Sequence, residues 1–98
     1  MSYLVYCTFD LKNALAKDYE NAYADLQRIG LAKVVKADEG PQVVIPTTST
    51  MGFFNGTSAA AVRNDVRNSV QAAFRARLLK SEIFIVVGGD WAWGAGTT

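Results

Sequence analysis

Two carboxylates are the residues of this chain best suited to catalysis or metal binding. Asp10 closes the hydrophobic segment that begins at Tyr3, and Glu82 opens the last hydrophobic segment. In a four-stranded antiparallel sheet with strand order four, one, three, two, the end of the first strand meets the start of the fourth. Asp10 paired with Glu82, or with its own copy across a dimer axis, can hold a divalent cation that activates water for phosphodiester cleavage. The alternative is that Asp10 hydrogen-bonds its own turn.

The chain contains no histidine, which narrows its chemistry sharply. Serine-histidine and cysteine-histidine catalysis, histidine zinc sites and imidazole acid-base chemistry are excluded within one subunit. The single cysteine, Cys7, has no intrachain disulfide partner and lies in an apolar segment, so we interpret it as a core residue. Carboxylates without nitrogen or sulfur ligands favour magnesium or manganese over zinc. We therefore expect no cofactor, except Mg²⁺ if the chain is a nuclease.

A basic stripe is the second candidate feature. The net charge is only +1, so contact with nucleic acid would depend on a local patch rather than on bulk charge. Arg63, Arg67 and Arg75 recur at multiples of four along the second predicted helix. Arginine forks suit phosphate oxygens, so RNA or DNA is a candidate partner. A solvated helix face is the simpler interpretation, because water and salt screen exposed arginines adequately.

The third feature is the ending that contains Trp91 and Trp93. Gly88 and Gly89 precede these tryptophans, but no helix follows, so a dinucleotide-binding motif is excluded. In an extended segment, two residues at a spacing of two point the same way. The pair can cover the open sheet face, stack on bases, or pack on a second subunit as an added strand, and we favour the subunit contact.

The hydrophobic pattern predicts an α+β fold, a ferredoxin-like βαββαβ sandwich. It has a four-stranded antiparallel sheet with two helices on one face, within a single domain of residues 1–90, and a tail of residues 91–98. Alternation predicts strands near 3–9, 31–37, 42–50 and 82–88, and helical spacing predicts helices near 15–29 and 58–77. The first helical stripe runs from Leu15 to Ile29 and stops at Gly30. Asp38 to Pro41 is predicted as a hairpin turn, and Pro46 disrupts the strand that follows.

The run from Tyr3 to Asp10, a hydrophobic first strand that closes on aspartate, resembles a known family. It is similar to the small CRISPR-associated nuclease of the spacer-acquisition complex and to its toxin-antitoxin relatives, which include an antitoxin that cleaves a toxin's messenger RNA. Members of that family are homodimers, and where they are nucleases the aspartate that closes the first strand binds metal from both subunits. The resemblance therefore implies a ferredoxin-like homodimer and, at Asp10, a metal ligand.

Together these features predict a homodimeric binding or assembly module that recognises nucleic acid through the second helix. The alternative is a metal-dependent endoribonuclease centred on Asp10. The open sheet face, with Leu4, Tyr6, Phe84 and Val86, is expected to be more apolar than a small monomer tolerates. Because the sequence shows no secretion signal and no apolar run of membrane-spanning length, we expect a cytoplasmic protein without membrane contact.

Overall fold

The computed structural model describes residues 1–37 and 40–98, so Asp38 and Glu39 of the predicted turn lie outside the described residues. The elements are β1 (Ser2–Leu11), α1 (Ala16–Ile29), β2 (Val34–Lys36), β3 (Gln42–Val44), β4 (Ser49–Asn55), α2 (Ala59–Ala76) and β5 (Ser81–Gly88). The predicted α+β class is confirmed. Neither helix of this described part is long and apolar enough to cross a membrane.

Strand β1 forms the centre of an antiparallel sheet with the order β4-β1-β5. Its alternation places every second side chain, from Tyr3 to Leu11, in the core and leaves Leu4, Tyr6 and Thr8 half-buried on the opposite face. The buried face packs against both helices in one hydrophobic cluster. The other face is called the open face below.

The predicted four-stranded sheet is not seen, because the main sheet of the described residues has three strands. Strands β2 and β3 instead form a separate hairpin, joined to β4 by one isolated pair in which Ala32 and Met51 exchange two hydrogen bonds of 2.9 Å. The single strand predicted near 42–50 is divided at Pro46, whose nitrogen has no hydrogen to donate to a ladder. The chain turns there and enters β4 only at Ser49.

Helix α1 begins after Leu15, whose backbone N–H donates to Asp18 Oδ2 at 2.9 Å. This is one half of a capping box. Gly30 ends the helix with a φ of 114°, which is the left-handed conformation that glycine adopts without strain. Leu15, predicted to start the apolar stripe, lies before the helix and is 73% exposed. Ala22 and Leu26 are the residues of the stripe that are fully buried.

Helix α2 begins at the cap residue Ser58, whose Oγ accepts the N–H of Ala61 at 3.0 Å. Its buried face repeats every four residues and consists of Val62, Val66, Val70 and Phe74. The helix ends at Ala76, as predicted from the charge of Arg77. The last turn is closed by bonds from Leu78 N–H to the Arg75 carbonyl and from Leu79 N–H to the Phe74 carbonyl.

Candidate functional site

Asp10 and Glu82 lie directly opposite each other on β1 and β5. Because cross-strand partners point to the same side of an antiparallel sheet, both carboxylates project from the open face at its edge. The sequence argument brought these two residues to one edge, and the structure does so. Both side chains are exposed.

Lys12 occupies the space between the two carboxylates. Its Nζ lies 2.7 Å from Glu82 Oε1 and 3.5 Å from Asp10 Oδ2. The hydrogen bond and charge of Glu82, and then those of Asp10, raise the pKa of the Lys12 ammonium. The three groups therefore form an exposed cluster with a net charge of −1, in which solvent screens each pairwise attraction.

Tyr19 extends this cluster from α1. Its hydroxyl accepts the Leu11 N–H at 3.3 Å and lies 3.4 Å from Asp10 Oδ1. Sequence reasoning assigned Tyr19 only to the apolar stripe and did not include Lys12. A signal for Lys12 was present, because it lies only two positions after Asp10, in the turn that follows β1. No local signal marks Tyr19, whose ring packs in the core while its hydroxyl reaches the sheet edge.

A metal ion at this position would depend on few protein ligands. Within residues 1–37 and 40–98, no group of three or more candidate metal-ligating residues occurs. Asp10 and Glu82 have the hard oxygen ligands that Mg²⁺ prefers, but an ion there would have to displace the Lys12 ammonium or gain carboxylates from a second copy. The donor set thus fits magnesium in type and is incomplete in number.

The arginines of α2 divide into a pair and a separate residue. Arg63 and Arg67 both donate to Asn64 Oδ1, with Nη2 distances of 3.1 and 3.3 Å. A helix turns by about 100° per residue, so Arg75 lies about a third of a turn around from Arg63 and about 18 Å further along the axis. All three side chains are exposed. Asn64 was not singled out from the sequence, although its spacing of one and three from the arginines is visible there.

The tail after β5 folds back onto its own chain. The Trp91 ring packs on Phe53 of β4, with ring centroids 4.8 Å apart. Trp93 is partly buried and borders a groove of about 920 Å³ between the tail, β4 and the β2–β3 hairpin. Of the three roles open to these tryptophans, intramolecular packing is therefore seen for Trp91.

The open face is more exposed along β5. Phe84 is 63% exposed and Val86 is 50% exposed, and both side chains project from β5 on the face that also carries Leu4 and Tyr6. The Tyr6 hydroxyl is satisfied by Ser49 Oγ at 2.7 Å. The uncovered part of this face is therefore apolar and lies over β5.

No protein-family model matches this chain, and no curated protein shows significant similarity to it.

Proposed function

We propose that this protein is a ferredoxin-like homodimeric assembly module that contacts nucleic acid through α2. The fold assignment is supported by the strand order β4-β1-β5, which corresponds to third, first and fourth strands of the ferredoxin-like arrangement. The Ala32–Met51 pair is the remnant of the second strand, at the edge where that strand belongs. Pro46 accounts for its reduction to a single pair.

The observation that carries dimerisation is the exposure of Phe84 and Val86 side by side on β5. Large neighbouring apolar side chains at a rigid strand mark a surface that is buried in an assembly. A second copy of this chain is the simplest partner for this surface, since most soluble oligomers are symmetric homo-oligomers. Trp91 lies beside Phe53 on β4, across β1 from this surface.

Contact with nucleic acid is supported by Arg63 and Arg67. Asn64 holds their guanidinium groups near one oxygen, where two like charges repel each other and a phosphate would relieve the repulsion. Such contacts are independent of sequence and sensitive to salt. Arg75 would reach a phosphate further along the backbone.

The alternative function is a metal-dependent endoribonuclease. The observation that favours it is the direct opposition of Asp10 and Glu82 across two strands. In that case Asp10 and Glu82 would hold a Mg²⁺ ion in place of the Lys12 ammonium, and the ion would supply an activated water for phosphodiester cleavage. The assembly module requires no such displacement, which is why we prefer it.

Sedimentation at tens of micromolar tests the assembly proposal. We expect wild type to be a dimer and Phe84→Glu to be a monomer, because a carboxylate would be buried against an apolar surface. Leu78→Glu is the matched control, since Leu78 is an exposed leucine outside the sheet. A monomeric wild type, or a dimeric Phe84→Glu, would contradict the proposal.

Titration of RNA and DNA fragments with and without Mg²⁺ separates the two functions. We expect binding that weakens across all sequences, with a flatter salt dependence, when Arg63, Arg67 and Arg75 are changed to glutamine. Unchanged affinity would remove α2 from the interface. Magnesium-dependent cleavage by wild type, lost in Asp10→Asn, would favour the endoribonuclease instead.

A further inference from the structure

Strand β5 presents an edge of free backbone groups. Lys12 N–H donates to the Lys80 carbonyl at 2.9 Å, so even-numbered residues of β5 bond to β1 through the antiparallel register. The N–H and C=O groups of Ile83, Ile85 and Val87 therefore point to the other side. Within the described residues, β1 is the only strand that pairs with β5, and these groups form no other backbone hydrogen bond.

Apart from the charge of Glu82 near its start, this edge lacks the features that commonly protect an edge strand. Strand β5 is eight residues long and contains no proline, and its central open-face residues are Phe84 and Val86. A long apolar edge with unpaired donors and acceptors is a template for another strand. The neighbouring exposed side chains are those that carry the proposed dimerisation, so the edge is continuous with that surface.

Charge selects the register in which two copies can pair. Antiparallel pairing requires odd-numbered residues to face one another, since only these have free outward groups. Two registers overlap seven residues of each strand: one sets Ile83 opposite the partner's Val87, and the other sets Ile83 opposite the partner's Ile85. Within the strands, the first sets Glu82 opposite the partner's Gly88, and just beyond the strand ends it brings Lys80 towards the partner's Asp90, twice by symmetry. A further slip that sets Ile85 opposite the partner's Val87 would instead oppose Glu82 and Asp90.

We propose that two copies of this protein join edge to edge through β5, antiparallel about a two-fold axis at Ile85. Ile83 then pairs with the partner's Val87, and Phe84 lies beside the partner's Val86. The result is a continuous six-stranded sheet with all helices on one face. This inference rests on the proposed homodimerisation and defines its geometry.

Disulfide trapping tests the register. Phe84 and the partner's Val86 form a non-hydrogen-bonded pair, whose Cα separation of about 4.5 Å permits a disulfide. We expect a mixture of Phe84→Cys and Val86→Cys chains to cross-link at least about tenfold faster than either variant alone. Cys7 does not interfere, because it is buried. Rapid cross-linking of Phe84→Cys alone, or of Val86→Cys alone, would overturn the register.

A charge exchange tests the Lys80–Asp90 pair across the axis. Lys80→Glu and Asp90→Lys should each raise the dimer dissociation constant by roughly fivefold, and the double variant should restore it to within about twofold. Rescue within one chain is excluded, because the eight residues of β5 lie between these positions and hold them more than about 20 Å apart. Lys17→Glu on α1 changes the net charge as Lys80→Glu does, and it should leave the dimer dissociation constant unchanged. A double variant as weak as the singles would overturn the pairing.

The two proposals fail in different ways. A monomeric wild type in sedimentation would overturn both the homodimer and its geometry. A stable wild-type dimer that gives no mixed cross-link would overturn the β5 geometry alone.

Discussion

Asp25 on α1 and Arg77, the residue that follows α2, form a two-point ion pair that connects the two helices. Arg77 Nη2 donates to Asp25 Oδ1 at 3.0 Å, and Arg77 Nε donates to Oδ2. Arg28 adds a third bond at 2.8 Å to Oδ1. The Asp25 side chain is 12% exposed, so this carboxylate depends on its partners in place of water. The hydrogen bond from Arg77 holds the pKa of the Asp25 carboxyl below its usual range.

Removing the charge of Asp25 should destabilise the fold at neutral pH and have less effect in acid. We expect Asp25→Asn to lower the free energy of unfolding by up to about 1 kcal/mol, since solvent screens the outer side of Arg77. A folded-state pKa below the unfolded value gives stability that is complete above about pH 4 and is lost as the pH falls through the folded pKa. Urea unfolding between pH 7 and pH 3 measures the difference. Asp65→Asn, on the exposed face of α2, is the control, and a difference from wild type that grows in acid would contradict the prediction.

Leu78 has an unfavourable backbone conformation that glycine should relieve. Its φ is 59°, in the left-handed region, and its side chain is 91% exposed. Such a conformation costs a residue with a Cβ atom about 1 kcal/mol or more, and the burial of this leucine offsets little of it. Leu78→Gly should therefore raise the free energy of unfolding by up to about 1 kcal/mol. Leu78→Ala keeps the Cβ atom, so a gain of the same size in that variant would assign the effect to the lost side chain.

Gly52 should not tolerate a side chain. A Cβ atom at this position would lie 2.0 Å from the Gly30 carbonyl oxygen, where the end of α1 crosses β4. Both groups are backbone, so relief requires the helix to move, and we expect Gly52→Ala to cost about 1–3 kcal/mol in chemical denaturation. Gly88→Ala is the matched control within the sheet, because no atom lies within 4 Å of its Cβ position. Equal stability of the two variants would contradict the close approach.

Cys7 should be inert to thiol reagents in the folded protein. Burial raises the pKa of its thiol to about 11, although a hydrogen bond with Thr50 lowers it slightly. The thiolate is the reactive form, so labelling at pH 8 should occur only when the structure opens. Adding denaturant should accelerate labelling in parallel with unfolding. Ala72→Cys on the exposed face of α2 provides an accessible thiol for comparison, and labelling of Cys7 at that rate would place it outside the core.

Local sequence patterns were sufficient to predict several elements of the fold. The run from Tyr3 to Phe9 predicted a central strand, because a strand that is mostly apolar on both faces is typical of the middle of a sheet. The spacing of Val62, Val66 and Val70 did the same for α2, although Phe74 and not the predicted Ala73 completes its buried face, and Gly30 marked the end of α1. These features depend on residues close in sequence, so short-range reasoning reached them.

Other features depend on residues that are distant in the chain. Asp25 and Arg77 are 52 positions apart, and no motif links them. The division of the predicted strand at Pro46 was signalled as a disruption, but its outcome, a separate hairpin joined by Ala32 and Met51, required the three-dimensional arrangement. The packing of Trp91 on Phe53 likewise depended on the path of the tail.

The arrangement of Asp10 and Glu82 at the sheet edge depends on both the sequence pattern and the tertiary structure. Strand order alone predicted that both carboxylates lie at one edge of the sheet. Tertiary structure decided what lies between them, because the Lys12 ammonium settles 2.7 Å from Glu82 only once β5 is paired with β1. The attraction of opposite charges falls with distance and with solvent screening, so the sequence could determine which charges exist and only the folded sheet could determine which of them meet.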